Sequence, residues 1–507
     1  MRKIVVVLAS AASAVGLLFS GFYTDITDDM SQAQAQTVAA KPNIVFILTD
    51  DQPQSTLSYM PNVQSRLKDK GRTFSNAFNV YPLCCPSRAI IQRGQYAHNT
   101  GVFGNVPSLG GGYPIFDRLD REKSTMATWI QDAGYYTGHF GKYMNAFSGP
   151  APPGWDDWGT PTVTSDPMDE ATVSTTGELA DKQLAEKAMM FTRERTPQEQ
   201  PFFMQVGFHA PHVTNDWEPQ YDGWFAGEKV PRTPSFNEGD VSDKPRYIRE
   251  DKPPLTQQRN PRVDDPCLTL PNSLEQNDCQ YPRQLRSLQT VDQFVADLTD
   301  YLASQGELSN TYIVYYTDNG NHWGEHRLDY GKLTPYETDT GFPLLIRGPG
   351  VPVGTPSRLL VGNHDIAPTF AEIAGASVPP FVDGRSFLRI ADADPTNDTP
   401  WRTALYMERH WESSWDLPDK SSPQYVPPYE GVRQQNRVYI RYRDDPWTAK
   451  PDPGFKEFYD LGTDLNQLRN LAYYRDVPQA TLDYLQDRLV RLRGCRADGC
   501  RAAENGQ

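Results

Sequence analysis

The chain has 507 residues, enough for about three average domains or for one large α/β domain with a smaller companion. Its 49 basic and 64 acidic side chains give a formal net charge of −15, which argues against a basic surface for nucleic acid or anionic membranes. A hydrophobic fraction of 38% excludes a multi-span membrane protein, and 43 prolines with 37 glycines are too few to indicate a disordered chain.

The first 40 residues have the pattern of an export signal. Arg2 and Lys3 precede an uncharged apolar run at residues 4–19, and the polar stretch that follows contains Ala33-Gln34-Ala35, which a signal peptidase could accept. The run is short for a membrane span. We therefore predict a signal peptide and linker at residues 1–40, with an uncleaved anchor as the alternative. The mature protein is expected to be secreted, periplasmic or otherwise extracytoplasmic.

Continuous apolar runs with helical patterns between them predict α/β organisation. The runs typical of buried parallel strands are residues 43–48, 201–208, 311–317 and 343–347. The helical patterns are residues 126–133, 179–192 and 281–304. This alternation predicts a large, mostly parallel sheet flanked by helices, which binds ligands at the carboxyl ends of its strands.

Two composition breaks divide the rest of the chain. Residues 213–280 are rich in proline and charge, which predicts a long excursion over the surface. A second break, rich in Asp and Pro, lies at residues 391–399. Strand-like pieces and one helical pattern follow it, at residues 403–408, 437–442, 457–460 and 479–492. We therefore predict a large α/β domain at residues 41–390 and a smaller α+β domain at residues 391–507.

The six cysteines fall into three sequence pairs. In an exported protein, Cys267 with Cys279 and Cys495 with Cys500 are predicted to form disulfides. Cys84 and Cys85 are adjacent, and adjacent cysteines seldom bridge each other. Two buried thiols are the plain structural interpretation of that pair.

Polar side chains that could bind a metal ion or an anion follow the predicted strands. Asp50-Asp51 and Asp318-Asn319 each come directly after a buried run, and their oxygens together predict a hard-cation site. Either pair alone is typical of a cap or a turn. The segment Cys84-Cys85-Pro86-Ser87-Arg88 follows an apparent strand and opens a helix, whose N-terminus favours an anion. Lys142 and Lys332 are two further cations available to this edge.

These residues resemble the sulfatases of the alkaline-phosphatase-like superfamily, over residues 42 to about 475. The family signature Cys-x-Pro-Ser-Arg is present at residues 84–88. The other family blocks follow in order: Ile47-Leu-Thr-Asp-Asp51, Gly134-Tyr-Tyr-Thr137 with Gly141-Lys-Tyr143, Ala210-Pro-His212, Tyr316-Thr-Asp-Asn-Gly320, and Lys332 with Tyr336-Glu337. Residues 84–88, residues 141–143 with Asn145, and residues 318–322 are most similar to the N-acetylglucosamine-6-sulfatase branch.

The resemblance implies a fold, two cofactors and a set of site residues. The fold would be alkaline-phosphatase-like. Cys84 would be oxidised to Cα-formylglycine by a formylglycine-generating enzyme, and its hydrate would attack sulfur while a cation neutralises the sulfate oxygens. The predicted metal ligands are Asp50, Asp51, Cys84, Asp318 and Asn319. Ca²⁺ is expected rather than Mg²⁺, because several carboxylates and an amide suit its larger shell.

The remaining roles follow from the same resemblance. Arg88 would hold the hydrate and the carboxylates, Lys142 and Lys332 would bind sulfate oxygens, and His212 would protonate the leaving alcohol. The predicted substrate-binding residues are His322 and Asn145, and Asp318 is the candidate base. A structural role competes with a site role for four histidines: His139, His209, His322 and His326. His322 is preferred as a substrate-pocket residue because it follows Asp-Asn-Gly so closely.

Two positions depart from the family pattern. Arg93-Gly94 stands where the family usually has Thr-Gly, which weakens the match to the element that the maturation enzyme recognises. Met144 stands where many members have His, so one contact to the leaving group or sulfate is missing or supplied differently.

The sequence thus predicts an exported sulfatase that acts on a sulfated sugar, other glycan or aryl alcohol, with no nucleic-acid or membrane partner. One alternative is a phosphodiester or phosphonate-ester hydrolase on the same fold. Another is a non-catalytic extracellular binding protein that never matures Cys84. The complete set of predicted ligands argues against the binding protein, because buried carboxylates without partners are costly.

Overall fold

The central sheet is built around the strand Asn43–Thr49, whose seven residues are all buried. Its continuous run of branched and aromatic side chains suits a strand that is covered on both faces. The computed structural model describes residues 41–107, 110–159, 180–212, 217–260, 266–392, 401–410, 426–443 and 454–507. The predicted signal peptide at residues 1–40 and most of the predicted break at residues 391–399 lie outside the described residues.

The strands of the described residues are, in chain order, β1 (Asn43–Thr49), β2 (Arg72–Phe74), β3 (Ala77–Phe78), β4 (Tyr136–Gly141), β5 (Asp157–Gly159), β6 (Phe202–Gly207), β7 (Thr311–Thr317), β8 (Leu344–Arg347), β9 (Thr355–Ser357), β10 (Val361–Gly362), β11 (Leu405–Arg409), β12 (Tyr429–Gln434), β13 (Arg437–Tyr442) and β14 (Lys456–Asp460). The helices are α1 (Pro61–Val63), α2 (Cys84–Arg93), α3 (Ala97–Thr100), α4 (Gly112–Arg118), α5 (Met126–Asp132), α6 (Ala180–Arg195), α7 (Arg246–Arg249), α8 (Ser273–Ser304), α9 (Glu337–Thr340), α10 (Ile366–Ala374), α11 (Leu388–Asp392), α12 (Gln479–Arg493) and α13 (Asp498–Asn505).

Eight strands form the large sheet, in the order β5-β4-β6-β1-β7-β8-β2-β9. β4, β6, β1 and β7 run parallel to one another. β1 pairs with β7 in a register that sets Thr49 beside Thr317, so the residues that follow both strands meet at one edge of the sheet. The predicted fold class is confirmed: a large, mostly parallel sheet with helices, followed by a smaller antiparallel sheet.

Two elements differ from the sequence prediction. The run at residues 343–347 forms β8, which is antiparallel to β7 and β2, because an apolar run reports burial on both faces and not strand direction. Helix α8 begins at Ser273 rather than at residue 281. Asn272 caps it by accepting a hydrogen bond from the Glu275 N–H at 3.1 Å, so the predicted excursion ends in helix.

The second sheet has the order β11-β12-β13-β14 and is antiparallel throughout. Its apolar side chains form a second core that also receives Leu83 and Ile90, at the start and in the middle of α2. Cys85 and Ala89 of α2 belong to the core of the large sheet. Helix α2 therefore lies between two apolar cores, and both fix its position. The division of the chain at residue 390 stays a prediction.

Both predicted disulfides, Cys267–Cys279 and Cys495–Cys500, are present. Cys84 and Cys85 are buried free thiols. Among the described residues, none of the helices combines the length and the apolar character that crossing a bilayer requires.

Candidate active site

Four oxygen-bearing side chains meet where β1 and β7 end. Asp50 and Asp51 follow β1, Asp318 and Asn319 follow β7, and each is at most 2% exposed. Asp51 has a left-handed φ of 57°, a conformation that Asp adopts more readily than most residues. Its N–H donates to Asp318 Oδ1 at 3.2 Å, which ties the two strand ends together.

Cys84 faces these carboxylates as the first residue of α2. Its Sγ lies 3.6 Å from Asp50 Oδ1 and 3.8 Å from Asp51 Oδ1. One ligand atom from each of these three residues lies within 4.8 Å of the others. The helix N-terminus adds a partial positive charge at Cys84, which favours an anion there.

Arg88 lies one helical turn after Cys84 and therefore on the same face of α2. Its Nε donates to Asp318 Oδ2 at 2.7 Å, its Nη2 to Asp50 Oδ2 at 3.3 Å, and its Nη1 to the Lys142 carbonyl at 2.6 Å. The side chain is 1% exposed. The buried Arg88 side chain thus fixes the relative positions of the carboxylates that follow β1 and β7.

Two lysines complete the cluster from different elements. Lys142 follows β4, its N–H bonds the Gly207 carbonyl at 2.8 Å, and its ammonium pairs with Asp50 Oδ2. Lys332 comes from the loop between β7 and α9. Its Nζ lies 2.7 Å from Asp51 Oδ1, 2.9 Å from Asp51 Oδ2 and 2.7 Å from Cys84 Sγ.

His212 approaches from the loop after β6. Its Nε2 lies 3.5 Å from Asp51 Oδ2, and its side chain is 20% exposed, against 4% for Lys142 and 12% for Lys332. His212 therefore borders the cluster on a side that solvent reaches. We name Asp50, Asp51, Cys84, Arg88, Lys142, His212, Asp318, Asn319 and Lys332 the carboxylate–lysine cluster.

Burial dominates the protonation of this cluster. Burial, reinforced by Asp50, raises the pKa of Asp318 to about 6, while Arg88 opposes the rise. Burial also raises the pKa of the Cys84 thiol well above its usual value, although Lys142 and Lys332 oppose it. Asp318 and Asp50 outweigh burial at Arg88 and raise its pKa, so the guanidinium stays charged.

The donor set fits a divalent cation. Among the described residues, Oδ1 of Asn319 is buried without a hydrogen-bond partner, while its Nδ2 donates to Asp51 Oδ1 at 2.6 Å. A buried amide oxygen without a donor is unfavourable, and a cation is one group that satisfies it. Three carboxylates and three basic side chains roughly cancel, so an added sulfate anion needs a further positive charge. Oxygen-only donors favour Ca²⁺ or Mg²⁺.

Two predicted substrate-binding residues make other contacts. His322 is 2% exposed and its Nδ1 lies 3.0 Å from both oxygens of Asp339. Asn145 is 6% exposed, its carbonyl accepts the Tyr113 N–H at 2.8 Å, and its backbone bonds the Cys85 thiol. The structure thus places Asn145 beside Cys85, next to the cluster.

The other three histidines for which a structural role was considered contact residues outside the carboxylate–lysine cluster. His209 Nδ1 lies 3.3 Å from Asp181, and His326 Nδ1 lies 2.6 Å from Glu238. His139 stacks on Trp158, and burial lowers its pKa well below the usual value.

Sequence reasoning missed two residues that support the site. Asp339 fixes the His322 ring and also accepts the Thr334 N–H at 2.8 Å, although it stands only two residues after Glu337 of a family block. Asn105 accepts the backbone N–H of Cys85 at 2.9 Å through Oδ1 and so helps to set the first turn of α2. The sequence around Asn105 contains no motif that would predict this contact.

The chain matches two family models. The model described as sulfatase matches residues 42–376, and the model described as N-sulphoglucosamine sulphohydrolase, C-terminal, matches residues 324–494. The first match ends at residue 376, after the last strand of the large sheet and after all the predicted metal ligands.

Curated relatives of the chain are named as sulfatases. The extracellular sulfatase SULF-1 homolog of Drosophila melanogaster is 34% identical over 69% of this chain, and the putative homolog of Caenorhabditis elegans is 32% identical over 73%. The chain spans 31% and 53% of the length of these two relatives. The N-acetylglucosamine-6-sulfatase of Homo sapiens is 30% identical over 91% of this chain and 86% of its own length.

Two solved structures share the fold. One is a complex with its substrate D-glucosamine-2-N,6-O-disulfate, with a TM-score of 0.70, 21% identity, and coverage of 91% of this chain and 98% of that one. The other is a phosphonate monoester hydrolase from Silicibacter pomeroyi, with a TM-score of 0.67, 20% identity, and coverage of 88% and 95%. At these identities, the likeness establishes the fold alone.

Proposed function

The chain belongs to the sulfatase family, and we propose that it hydrolyses a sulfate ester carried by a sugar. The observation that carries the proposal is the contact set of Cys84. Its Sγ lies at a helix N-terminus, 2.7 Å from Lys332 Nζ and under 4 Å from the two carboxylates that follow β1. A nucleophile in that position has cations for the sulfate and carboxylates for a metal within reach.

We propose that Asp50, Asp51, Asp318 and Asn319, with matured Cys84, hold a divalent cation, Ca²⁺ in preference to Mg²⁺. The orphaned Asn319 Oδ1 and the three crowded carboxylates support this. When bound, such an ion neutralises sulfate oxygens and lowers the pKa of the attacking hydroxyl.

We propose that Cys84 is matured to Cα-formylglycine by a formylglycine-generating enzyme. The thiol itself is a poor nucleophile here, because burial raises its pKa well above neutrality. An S-sulfate on cysteine also has no internal route to release. The hydrated aldehyde supplies two hydroxyls on one carbon, one to attack sulfur and one to expel sulfate.

The chain's own side chains then divide the work. Lys142 and Lys332 are placed to bind the non-bridging oxygens as charge shifts during transfer. His212, on the solvent-reached side, is placed to donate a proton to the leaving sugar hydroxyl. Arg88 positions Asp318 and Asp50 through hydrogen bonds to both carboxylates, and Asp318 is the carboxylate proposed to take the proton.

The substrate class rests on the relatives. N-acetylglucosamine-6-sulfatases at 30% identity cover most of this chain. His322 and Asn145, both close to the cluster in sequence and buried, are proposed to contact the sugar. Two disulfides and the extracellular sulfatase relatives support an extracytoplasmic location, with export directed by residues 1–40.

The test uses protein matured in its host. We expect release of inorganic sulfate from N-acetylglucosamine-6-sulfate, and an aldehyde or its hydrate at position 84 by peptide mass spectrometry. Phenyl phosphonate esters and phosphodiesters are assayed beside it. Faster turnover of those esters than of any sulfate ester would shift the assignment to the phosphonate-ester hydrolases, and folded protein with an unmodified, inactive Cys84 would favour a binding protein.

A further inference from the structure

A cavity of about 560 Å³ lies at the carboxyl edge of the large sheet. One wall contains Pro53 and Gln54, which follow Asp51 closely in the chain, and another contains Asn321, two residues after Asn319. Gln435 and Asn436, in the turn between β12 and β13, line it from the smaller sheet. The volume lies within the range of small-molecule sites.

Asn321 is the side chain that points to a ligand. It lines the cavity and is only 2% exposed. Within the described part of the chain, neither its Oδ1 nor its Nδ2 has a hydrogen-bond partner, and the same holds for Nε1 of Trp323 in the same wall. Buried donors and acceptors are seldom left without partners, so a group that enters the cavity is expected to provide them.

The local pairing joins this wall to the carboxylate–lysine cluster. The His322 N–H bonds the Gly331 carbonyl at 2.8 Å, and the Gly331 N–H bonds the His322 carbonyl at 3.1 Å. This antiparallel bridge sets Trp323 across from Tyr330, and their ring centroids lie 4.4 Å apart. On the other flank it sets Asn321 across from Lys332, whose Nζ contacts Cys84 and Asp51. A residue that lines the cavity, Asn321, therefore lies across the bridge from a residue of the carboxylate–lysine cluster, Lys332.

The lining indicates the chemistry of the ligand. Half of the lining residues carry neutral amide or hydroxyl side chains. Of the charged ones, Arg433 and Glu337 pair with each other through bonds of 2.8 and 2.9 Å. A surface of neutral donors and acceptors with balanced charge suits a hydroxyl-rich, uncharged group.

We propose that this cavity binds the sugar residue next to the one that carries the sulfate ester, so that the substrate is a sulfated oligosaccharide. The inference rests on the proposed sulfatase function. Asn321 is the residue that recognises the second sugar, and Gln435 of the β12–β13 turn contacts the same sugar from the opposite wall.

The test compares substrates that differ only by the second sugar. Initial rates are measured on N-acetylglucosamine-6-sulfate and on two disaccharides that carry this residue at the reducing or the non-reducing end beside an unsulfated sugar. For one disaccharide, kcat/KM is expected to exceed that of the monosaccharide by about tenfold, the gain from about one to two new hydrogen bonds. Asn321→Ala and Gln435→Ala should each reduce this ratio toward one, mainly through KM.

The control is Asn310→Ala, an asparagine before β7 at the opposite edge of the sheet, which should leave the ratio unchanged. Gln435→Ala keeps the test decisive if Asn321→Ala fails to fold, because Gln435 lies in an exposed turn.

The subsite is overturned if no disaccharide is preferred, or if both variants slow all three substrates equally. Absence of sulfate release from every substrate contradicts the proposed function instead. In that case, titration calorimetry with unsulfated N,N′-diacetylchitobiose decides on the subsite: wild-type binding that Asn321→Ala weakens supports it, and its absence overturns it.

Discussion

Cys84 and Cys85 are neighbours in the chain with opposite surroundings. Cys84 faces Lys332 and two carboxylates, whereas Cys85 packs into the core of the large sheet and accepts backbone hydrogen bonds from Asn145 and Gly112. Successive residues of a helix point in different directions, so one cysteine enters the site and the other anchors α2.

This contrast gives a matched pair of variants. Cys84→Ala is expected to lower kcat by on the order of 10⁴ or more, since it removes the nucleophile of the proposed reaction. Cys85→Ala should retain sulfate release and lose about 1 kcal/mol of unfolding free energy through the lost packing. Sulfate release and urea unfolding, measured on both proteins, check the pair, and equal activity of the two variants would count against Cys84.

The orphaned oxygen of Asn319 predicts metal-dependent stability. Protein treated with a chelator should melt at a lower temperature, and added Ca²⁺ should restore it, because an ion at a hundred times its Kd stabilises by about 2.7 kcal/mol. Scanning calorimetry with Ca²⁺ and Mg²⁺ in turn measures the effect. Asp51→Asn with Asn319→Ala is the control that should lose the response, and an identical response in that variant would place the ion elsewhere.

At the residue level, the sequence predicts what lies directly after strands. Asp50, Asp51, Asp318 and Asn319 were located because each follows an apolar run, and runs in a parallel sheet end at a common edge. The support from Asp339 and Asn105 was not predictable, since these residues reach the site through loops whose paths no periodicity encodes.

The C-terminal element is held by a buried carboxylate. Glu504 of α13 is 0% exposed and accepts hydrogen bonds from Tyr96 Oη at 2.6 Å and Arg385 Nη2 at 2.8 Å, while Arg402 Nε lies 3.3 Å away. Despite burial, Arg402 and His364 lower the pKa of Glu504 to about 2. The carboxylate therefore stabilises the fold above its unfolded pKa, and this contribution is lost as the pH falls toward 2.

Glu504→Gln is expected to cost about 3 kcal/mol of unfolding free energy, because it removes the anion that the buried Arg402 shares with the partly buried Arg385, while Asp365 still pairs with Arg402. Asp498→Ala on the same helix is the matched control. Asp498 is exposed and pairs with Arg501 on the surface, so its loss should change stability by about 0.5 kcal/mol or less. Guanidinium unfolding of both variants measures the difference, and equal costs would contradict the role given to Glu504.

At the element level, length and pattern decide what the sequence reveals. The long strands β1, β6 and β7 and the helices α5, α6 and α12 lie where their apolar patterns predict them. Short strands such as β2, β3 and β9 have two or three residues and were missed, because so few residues carry no period. Helix α10 was missed as well, since it is buried nearly all round and shows no polar face.

On the scale of the whole molecule, an ion pair links α3 to the smaller sheet. His98 Nδ1 lies 2.9 Å from Glu408 of β11, and His410 Nε2 lies 2.8 Å from the same carboxylate. Burial would lower the pKa of His98, but Glu408 outweighs it and raises the pKa to about 9. Protonated His98 therefore stabilises the fold fully below pH 6.5, and this contribution disappears as the pH rises through 9.

Unfolding free energy should accordingly fall by up to about 3 kcal/mol between pH 6.5 and 9.5 from this pair alone. His98→Gln should flatten that part of the profile. Urea unfolding of the wild type and the variant across this range provides the measurement. A slope that His98→Gln leaves intact would assign the pH dependence to other groups.

The fold class was predictable from strand and helix alternation, and the smaller sheet from three of its four strands. The packing of that sheet beside the large one was not predictable, because it depends on Leu83, just before α2, and Ile90 of α2 packing against residues far along the chain. The cavity lined by both Asn321 and Gln435 exists only through this packing, so no local pattern announces it.

The burial of α2 between two cores determines whether oxidation of Cys84 has to come before or after folding. Cys84 is 0% exposed, and the residues on both sides of it are covered as well. An enzyme that oxidises Cys84 needs this segment extended and accessible, so on the proposed route maturation has to precede folding. In each newly made chain, folding then competes with oxidation of Cys84. A molecule that folds before it is oxidised keeps the Cys84 thiol buried, and the enzyme can no longer reach it.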